Sequence, residues 1–126
     1  MLNAFVLILT LLPAYFNLDN NKRLLLIFTD NTLNPALKQQ QALLNADLKG
    51  LKERDVEIRT YYKNSDLKLF KAYHITSGFT AILVGKDGGE KIRSSRPLTL
   101  EKLFNTIDAM PMRKEEMQKA ANVDVL

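Results

Sequence analysis

The sequence predicts an α/β domain built on a four-stranded mixed sheet, a βαβ half followed by a ββα half, with helices on both faces. Three observations carry that prediction. Residues Phe79 to Ser95 read as an apolar run, a polar turn and a second, alternating strand, which together make an antiparallel hairpin. Arg23 to Phe28 and Val56 to Tyr61 are strand-like runs separated by a stretch of helical periodicity, and a strand-helix-strand unit of this kind is parallel and right-handed. After the hairpin, Leu100, Leu103, Phe104, Ile107 and Met110 recur at helical spacing behind Thr99, a residue type that caps helices.

The chain begins with 18 residues that carry no charged side chain, and Ala4 to Phe16 is an apolar stretch broken only by Thr10 and Pro13. That stretch is shorter than the ~20 residues a membrane-spanning helix needs. It fits the apolar core of a signal peptide, so residues 1–17 are assigned to a signal or N-terminal hydrophobic segment, with cleavage after Ala14 or near Phe16. The competing reading is a first core strand over Phe5 to Leu12. Arg23 to Phe28 is then a buried strand, and the chain turns at Asp30, Asn31 and Thr32. Asn34 and Pro35 start a helix as N-cap and first helical residue. Along it Leu37, Leu44 and Leu48 share one face, Gln39, Gln40 and Gln41 lie largely on the other, and Lys49-Gly50 ends or interrupts it.

Val56, Ile58 and Thr60 alternate with Glu57, Arg59 and Tyr61, the period of two expected of a strand with one polar face. Of the rings of Tyr61 and Tyr62, one is expected in the core and one at the surface. Ser65 caps a short helix over Asp66 to His74, whose Leu67, Phe70, Tyr73 and His74 share a side. Thr80 to Val84 is too short for an ordinary helix and is stopped by Gly85. Lys86, Asp87, Gly88 and Gly89 form the hairpin turn, the two glycines supplying positive φ. The following strand, with Glu90, Lys91 and Arg93 around a lone Ile92, has the charge pattern of a sheet edge. Pro111 reads as a helix stop, and residues 112–126 as a surface helix or tail, which leaves the domain itself at 22–111.

Composition narrows the chemistry. The 126 residues suit one domain, and a net charge of +4, from 18 basic and 14 acidic residues, holds no dedicated nucleic-acid tract. Cysteine is absent and His74 is the single histidine. Disulfides, thiol nucleophiles, thiolate metal sites and multi-histidine centres are therefore excluded within one chain. No residue is assigned a catalytic, cofactor-binding or metal-binding role.

Strand order and motif pattern together resemble thioredoxin-like domains, the run from Gly78-Phe79-Thr80 through Lys86-Asp87-Gly88 being similar to the thioredoxin strand and hairpin. More closely, Arg23 to Phe28, Leu51 to Asp55, Gly85 to Gly89 with Lys91 to Ser95, and Asp108 to Arg113 resemble domain of unknown function 4174, over about residues 22 to 118. That resemblance implies a thioredoxin-like fold in a family found in bacterial exported proteins and as modules of vertebrate extracellular proteins of the sushi-repeat and equarin types. It also shows two departures from thioredoxin. The region Thr29 to Pro35, where thioredoxins carry their Cys-x-x-Cys pair, has no cysteine, and Phe79 stands where they keep a proline. Thiol-disulfide exchange and peroxiredoxin chemistry need a thiolate that is missing here.

The expected role is an exported, redox-inactive binding domain, periplasmic or secreted, or held by an uncleaved N-terminal segment. Its expected partner is an envelope or extracellular protein, with no nucleic acid, no membrane span once the signal is removed and no cofactor. The candidate ligand or partner surface comprises Asp30, Asn31, Thr32, Phe79 and Thr80, with Lys91, Arg93 and Arg96 on the hairpin. Any groove is expected between the Thr29 to Thr32 loop and Ser77 to Thr80. Two alternatives are a cysteine-independent enzyme using that loop with His74, whose ordinary pKa lies near neutrality, and a polyanion-binding module using Lys86, Lys91, Arg93 and Arg96.

Overall fold

The computed structural model describes residues 21–125. The signal segment assigned to residues 1–17, and the alternative strand at Phe5 to Leu12, lie outside the described residues. Four strands, β1 (Arg23–Thr29), β2 (Val56–Tyr62), β3 (Phe79–Val84) and β4 (Glu90–Ser94), form one sheet in the order β2-β1-β3-β4. β1 runs parallel to β2 and antiparallel to β3, and β4 is antiparallel to β3. The mixed four-stranded sheet is therefore as predicted. Every residue of β1 and β3 is buried, which is why their sequences run apolar without alternation.

Five helices complete the fold: α1 (Pro35–Asn45), α2 (Leu48–Glu53), α3 (Leu67–Ala72), α4 (Leu100–Asp108) and α5 (Pro111–Val125). Successive residues of a strand point to opposite faces, so β1 supplies two cores. On one face Leu25 and Ile27 pack with Leu37 and Leu44 of α1, Leu51 of α2, and Leu103 and Ile107 of α4. On the other, Leu24, Leu26 and Phe28 pack with Ile82, Val84 and Phe70 of α3. Tyr61 and Tyr62 each pack against a core, one on either face, so neither is the surface ring expected from their position at a strand end.

The predicted caps at Asn34 and Thr99 are present: Ala36 N–H donates to Asn34 Oδ1 at 2.9 Å and Lys102 N–H to Thr99 Oγ1 at 3.1 Å. Four local readings are corrected. The break between the first two helices falls at Ala46-Asp47, where Asp47 Oδ1 accepts from Gly50 N–H at 2.8 Å, and Leu48 is 55% exposed. Gly50 is not a helix stop; a Cβ there would lie 2.5 Å from Asp47 Oδ2 and 2.9 Å from Phe104 Cζ, so glycine leaves room for the capping carboxylate and the Phe104 ring of α4. Gln40 is fully buried rather than facing solvent. In the hairpin only Gly88 takes positive φ, at 82°, because Asp87 Oδ1 accepts from Gly89 N–H and closes the turn locally.

α3 is shorter than expected and is not capped by Ser65, whose Oγ donates to Asp66 Oδ2 at 3.0 Å. Leu67 and His74 are exposed, leaving Phe70 as the buried residue of α3, with Tyr73 half-buried. His74 has φ 55°, and Ile75 N–H donates to Phe70 O while His74 N–H donates to Lys71 O. That is a Schellman closure with histidine at the left-handed position usually held by glycine. Because the left-handed conformation disfavours residues with a Cβ, His74→Gly is expected to stabilise the domain by about 0.5–1 kcal/mol, read as a higher urea midpoint. A lower midpoint would show that the imidazole contributes contacts of its own.

Pro111 opens α5 instead of only stopping α4. Every described side chain of α5 is exposed except Arg113 and Glu116, which are partly buried. Those two dock it: Arg113 donates to Asp108 at 3.3 Å and to the Glu53 carbonyl at 3.2 Å, and Glu116 meets Arg23 and Lys86. Burial opposes the charge on Glu116, but hydrogen bonds from Arg23 and Lys86 outweigh it and hold its carboxyl below the ordinary 4.5. The Arg54 hydrogen bond, against burial and with help from Arg113, likewise holds Asp108 below 3.8. With both folded values depressed, this stabilisation is complete above the ordinary values and lost as pH falls through the folded ones. The melting temperature is expected to drop below about pH 4.5, and Glu116→Gln should flatten that drop. Parallel pH profiles for the two proteins would rule out Glu116 as a source of the acid sensitivity.

Candidate functional site

The end of the sheet where β1 stops and β3 begins brings together the loops that the sequence singled out. β1 ends at Thr29 opposite Phe79, so the loop into α1 and the loop into β3 leave side by side. They are joined directly. Asp30 N–H donates to Gly78 O at 2.9 Å, and Asn34 Nδ2 donates to both Gly78 O at 3.0 Å and Asp30 Oδ1 at 2.9 Å. Asn34 thus caps α1 with its oxygen and ties the two loops with its nitrogen. The approach at Gly78 is close, since a Cβ there would lie 3.0 Å from Asp30 Oδ2.

The rest of the loop is closed by short-range bonds. Thr29 Oγ1 donates to Asn31 O at 3.0 Å, Asn31 N–H to Asp30 Oδ1 at 2.8 Å and Leu33 N–H to Asn31 Oδ1 at 2.9 Å. The hydrogen bond from Asn34, opposed by desolvation and helped by the Asn31 N–H, holds the Asp30 carboxyl below its ordinary 3.8. This end of α1 therefore presents a fixed negative charge where a helix start would otherwise favour an anion. Asn31, Thr32 and Leu33 project as an exposed tip, with Leu33 75% exposed.

Phe79 and Thr80 do not belong to that surface. Both are buried: Phe79 packs in the core with Leu25 and Ile27, and Thr80 Oγ1 lies 2.9 Å from Ser77 Oγ. His74 is exposed, its imidazole hydrogen-bonded to none of the described residues, and its backbone closes α3. Burial, reinforced by the nearby Tyr61 and Glu90, pushes the neighbouring Tyr73 phenol up to about 12, away from acid-base work at neutral pH. On the hairpin, Lys91, Arg93 and Arg96 are exposed. Lys91 pairs with Asp87 at 2.9 Å, Arg93 pairs with Glu90 at 2.8 Å and donates to Tyr73 O, and Lys86 is held by Asp55 and Glu116. Most of the basic hairpin is thus neutralised by its own carboxylates. Among the described residues no group of three or more His, Cys, Asp or Glu could hold a metal ion, and no helix is long and apolar enough to cross a membrane.

Residues 16–116 match the family described as Domain of unknown function (DUF4174). The chain belongs to that family. The DUF4174 chain is similar in structure to thioredoxin of Fasciola hepatica, with a TM-score of 0.58 at 20% identity over 74% of this chain and 86% of that one. It is similar to thioredoxin-2, a component of malaria parasite protein secretion machinery, with a TM-score of 0.58 at 16% identity, over 71% and 84% of the two chains. Against the reduced 2-Cys peroxiredoxin of Plasmodium vivax the TM-score is 0.60 at 15% identity, over 76% and 81%. No curated protein matches it in sequence. At these identities the likeness establishes a thioredoxin-like fold for the DUF4174 chain, which has no cysteine to repeat the chemistry of those enzymes.

Turn chemistry marks the loop and Asn34 as a cap, but not Asn34 as the tie between loops or Leu33 as the exposed apolar tip. The spacing Asp30-x-x-x-Asn34 followed by Pro35 is a visible signal for the cap. Nothing local signals that Asn34 also reaches Gly78, 44 residues away in the chain.

Proposed function

We propose that this chain is an exported, redox-inactive thioredoxin-like domain that binds an envelope or extracellular protein. The observation that carries the reading is the exposed Asn31-Thr32-Leu33 tip, held rigidly by Asn34 and Gly78 at the end of the sheet where thioredoxins keep their thiols. A rigid loop with one projecting apolar residue among polar ones loses little conformational freedom on binding. Leu33 supplies the apolar anchor and Asn31 and Thr32 the polar surround, an arrangement suited to a protein surface. The uncharged N-terminal stretch Ala4 to Phe16 supports export.

A photo-cross-linking residue at position 33, introduced in the native host, tests the binding role. The expected outcome is one reproducible cross-linked envelope protein, absent when the same group replaces Glu101 on α4. An identical background from both positions would sink the proposal. The intact mass of the native protein tests export separately: Met1 retained in a cytosolic product would refute that part alone.

A further inference from the structure

The opposite end of β1 from Asp30, about 20 Å away for a seven-residue strand, begins with an arginine that is 1% exposed. A buried guanidinium stays charged and needs acceptors for all its N–H groups. Arg23 Nη1 donates to Arg54 O at 2.8 Å and to Glu116 Oε1 at 3.2 Å, and Nη2 donates to Glu116 Oε2 at 3.2 Å. Its Nε is the one buried side-chain nitrogen or oxygen among the described residues without a hydrogen-bond partner. Lys86 Nζ closes on the same carboxylate at 2.8 Å. Glu116 therefore sits between two cations as a bound ligand would.

Its hold is incomplete. Both Arg23 contacts are longer than the ~2.7–2.9 Å of good charge-assisted bonds, and the helix that delivers Glu116 has no buried apolar stripe to keep it in place. Against the same Arg23 and Lys86 opens a cleft of about 50 Å3, lined also by Gly85, Lys91, Met110, Pro111 and Met112, with Asp87 paired to Lys91. That volume admits a small oxyanion or a few waters, and the two thioethers are pliable walls. Arg23, Arg54, Lys86 and Arg113 face Asp55, Asp108 and Glu116, leaving one positive charge in excess and two once Glu116 withdraws.

We propose that Arg23 and Lys86 form an oxyanion-binding seat, held by Glu116 in the free chain, that accepts a carboxylate or phosphate group through the adjoining cleft. The incoming group replaces Glu116 and pairs the orphaned Nε, and α5 lifts from the domain. This is independent of the Leu33 surface.

Nitrogen-15 NMR at pH 7 tests it, with sodium acetate and sodium phosphate titrated against sodium chloride at matched ionic strength. Saturable shifts are expected at the Arg23 Nε–Hε signal and the Gly85 and Lys86 amides, with acetate or phosphate and not with chloride. Glu116→Gln should tighten binding at least tenfold and Lys91→Met weaken it severalfold. Shifts that match chloride, or dissociation constants unchanged within twofold in both variants, would overturn the proposal. Lys91 lies outside the buried network, so Lys91→Met decides the question should Glu116→Gln lose its folded spectrum. A short peptide that displaces acetate only with a free C-terminus would assign the carboxylate to a protein end, and displacement by inorganic phosphate alone to a small free anion.

Discussion

Replacing Phe28 by alanine is expected to destabilise the domain by about 3–5 kcal/mol, the range for removing a fully buried aromatic ring. Phe28 is buried at the end of the central strand, with Tyr61, Phe70 and Tyr73 ring centroids at 5.3, 5.1 and 5.4 Å, the Phe70 contact being edge-on. Such ring pairs add to the area they bury. The face they occupy is covered by a helix of only six residues, and Phe70 is its one buried residue. Loss of Phe28 therefore leaves a cavity and frees α3, which leads into the Gly78 loop. Urea unfolding should show a large fall in midpoint with an unchanged slope. A cost below about 1 kcal/mol would mean that the face repacks around the gap, which its small number of partners makes difficult.

Gln40→Ala is the second large effect, at about 3–4 kcal/mol. Gln40 is fully buried, its Nε2 donating to Leu98 O at 2.9 Å and its Oε1 accepting from Leu98 N–H at 2.7 Å. One side chain thus satisfies both backbone groups of Leu98, in the segment that joins β4 to α4. Alanine removes both bonds and leaves a donor and an acceptor stranded in the core, each at about 1–3 kcal/mol, besides a cavity. Gln40→Leu separates the contributions, because it fills the volume and still strands Leu98. A leucine variant within about 1 kcal/mol of the native protein would show that the hydrogen bonds matter little beside the packing.

Gln40 also marks the limit of what could be read in advance. As one of three consecutive glutamines on a helix of low apolar content, it carries no local sign of burial. Its partner lies 58 residues on. Arg23 is a similar case: an arginine at the head of an apolar run reads as the solvated start of a strand, but it is buried, and its carboxylate partner Glu116 lies 93 residues away. Gly50 looks like a helix terminator, whereas the break lies at Asp47 and the glycine makes room for the Asp47 carboxylate and the Phe104 ring. Of the candidate surface, Asp30, Asn31 and Thr32 were legible from turn chemistry. Phe79 and Thr80 were placed on it by analogy with thioredoxin, and the pairing of β3 between two strands puts their side chains inside.

Hydrophobic periodicity, turn residues and caps are properties of neighbouring residues, so the sequence by itself determined the strands, most of the helices and the mixed topology they form. Cysteine content is likewise a matter of counting, and it alone removed thiol chemistry from a thioredoxin-like scaffold. Only the folded chain brings distant polar groups together, burying Gln40 on Leu98 and Arg23 on Glu116 and tying the half-buried Asn34 to Gly78. A buried polar group is tolerated only when a distant part of the chain supplies its partner, and that distance is set by the fold, not by the spacing of residues along the sequence.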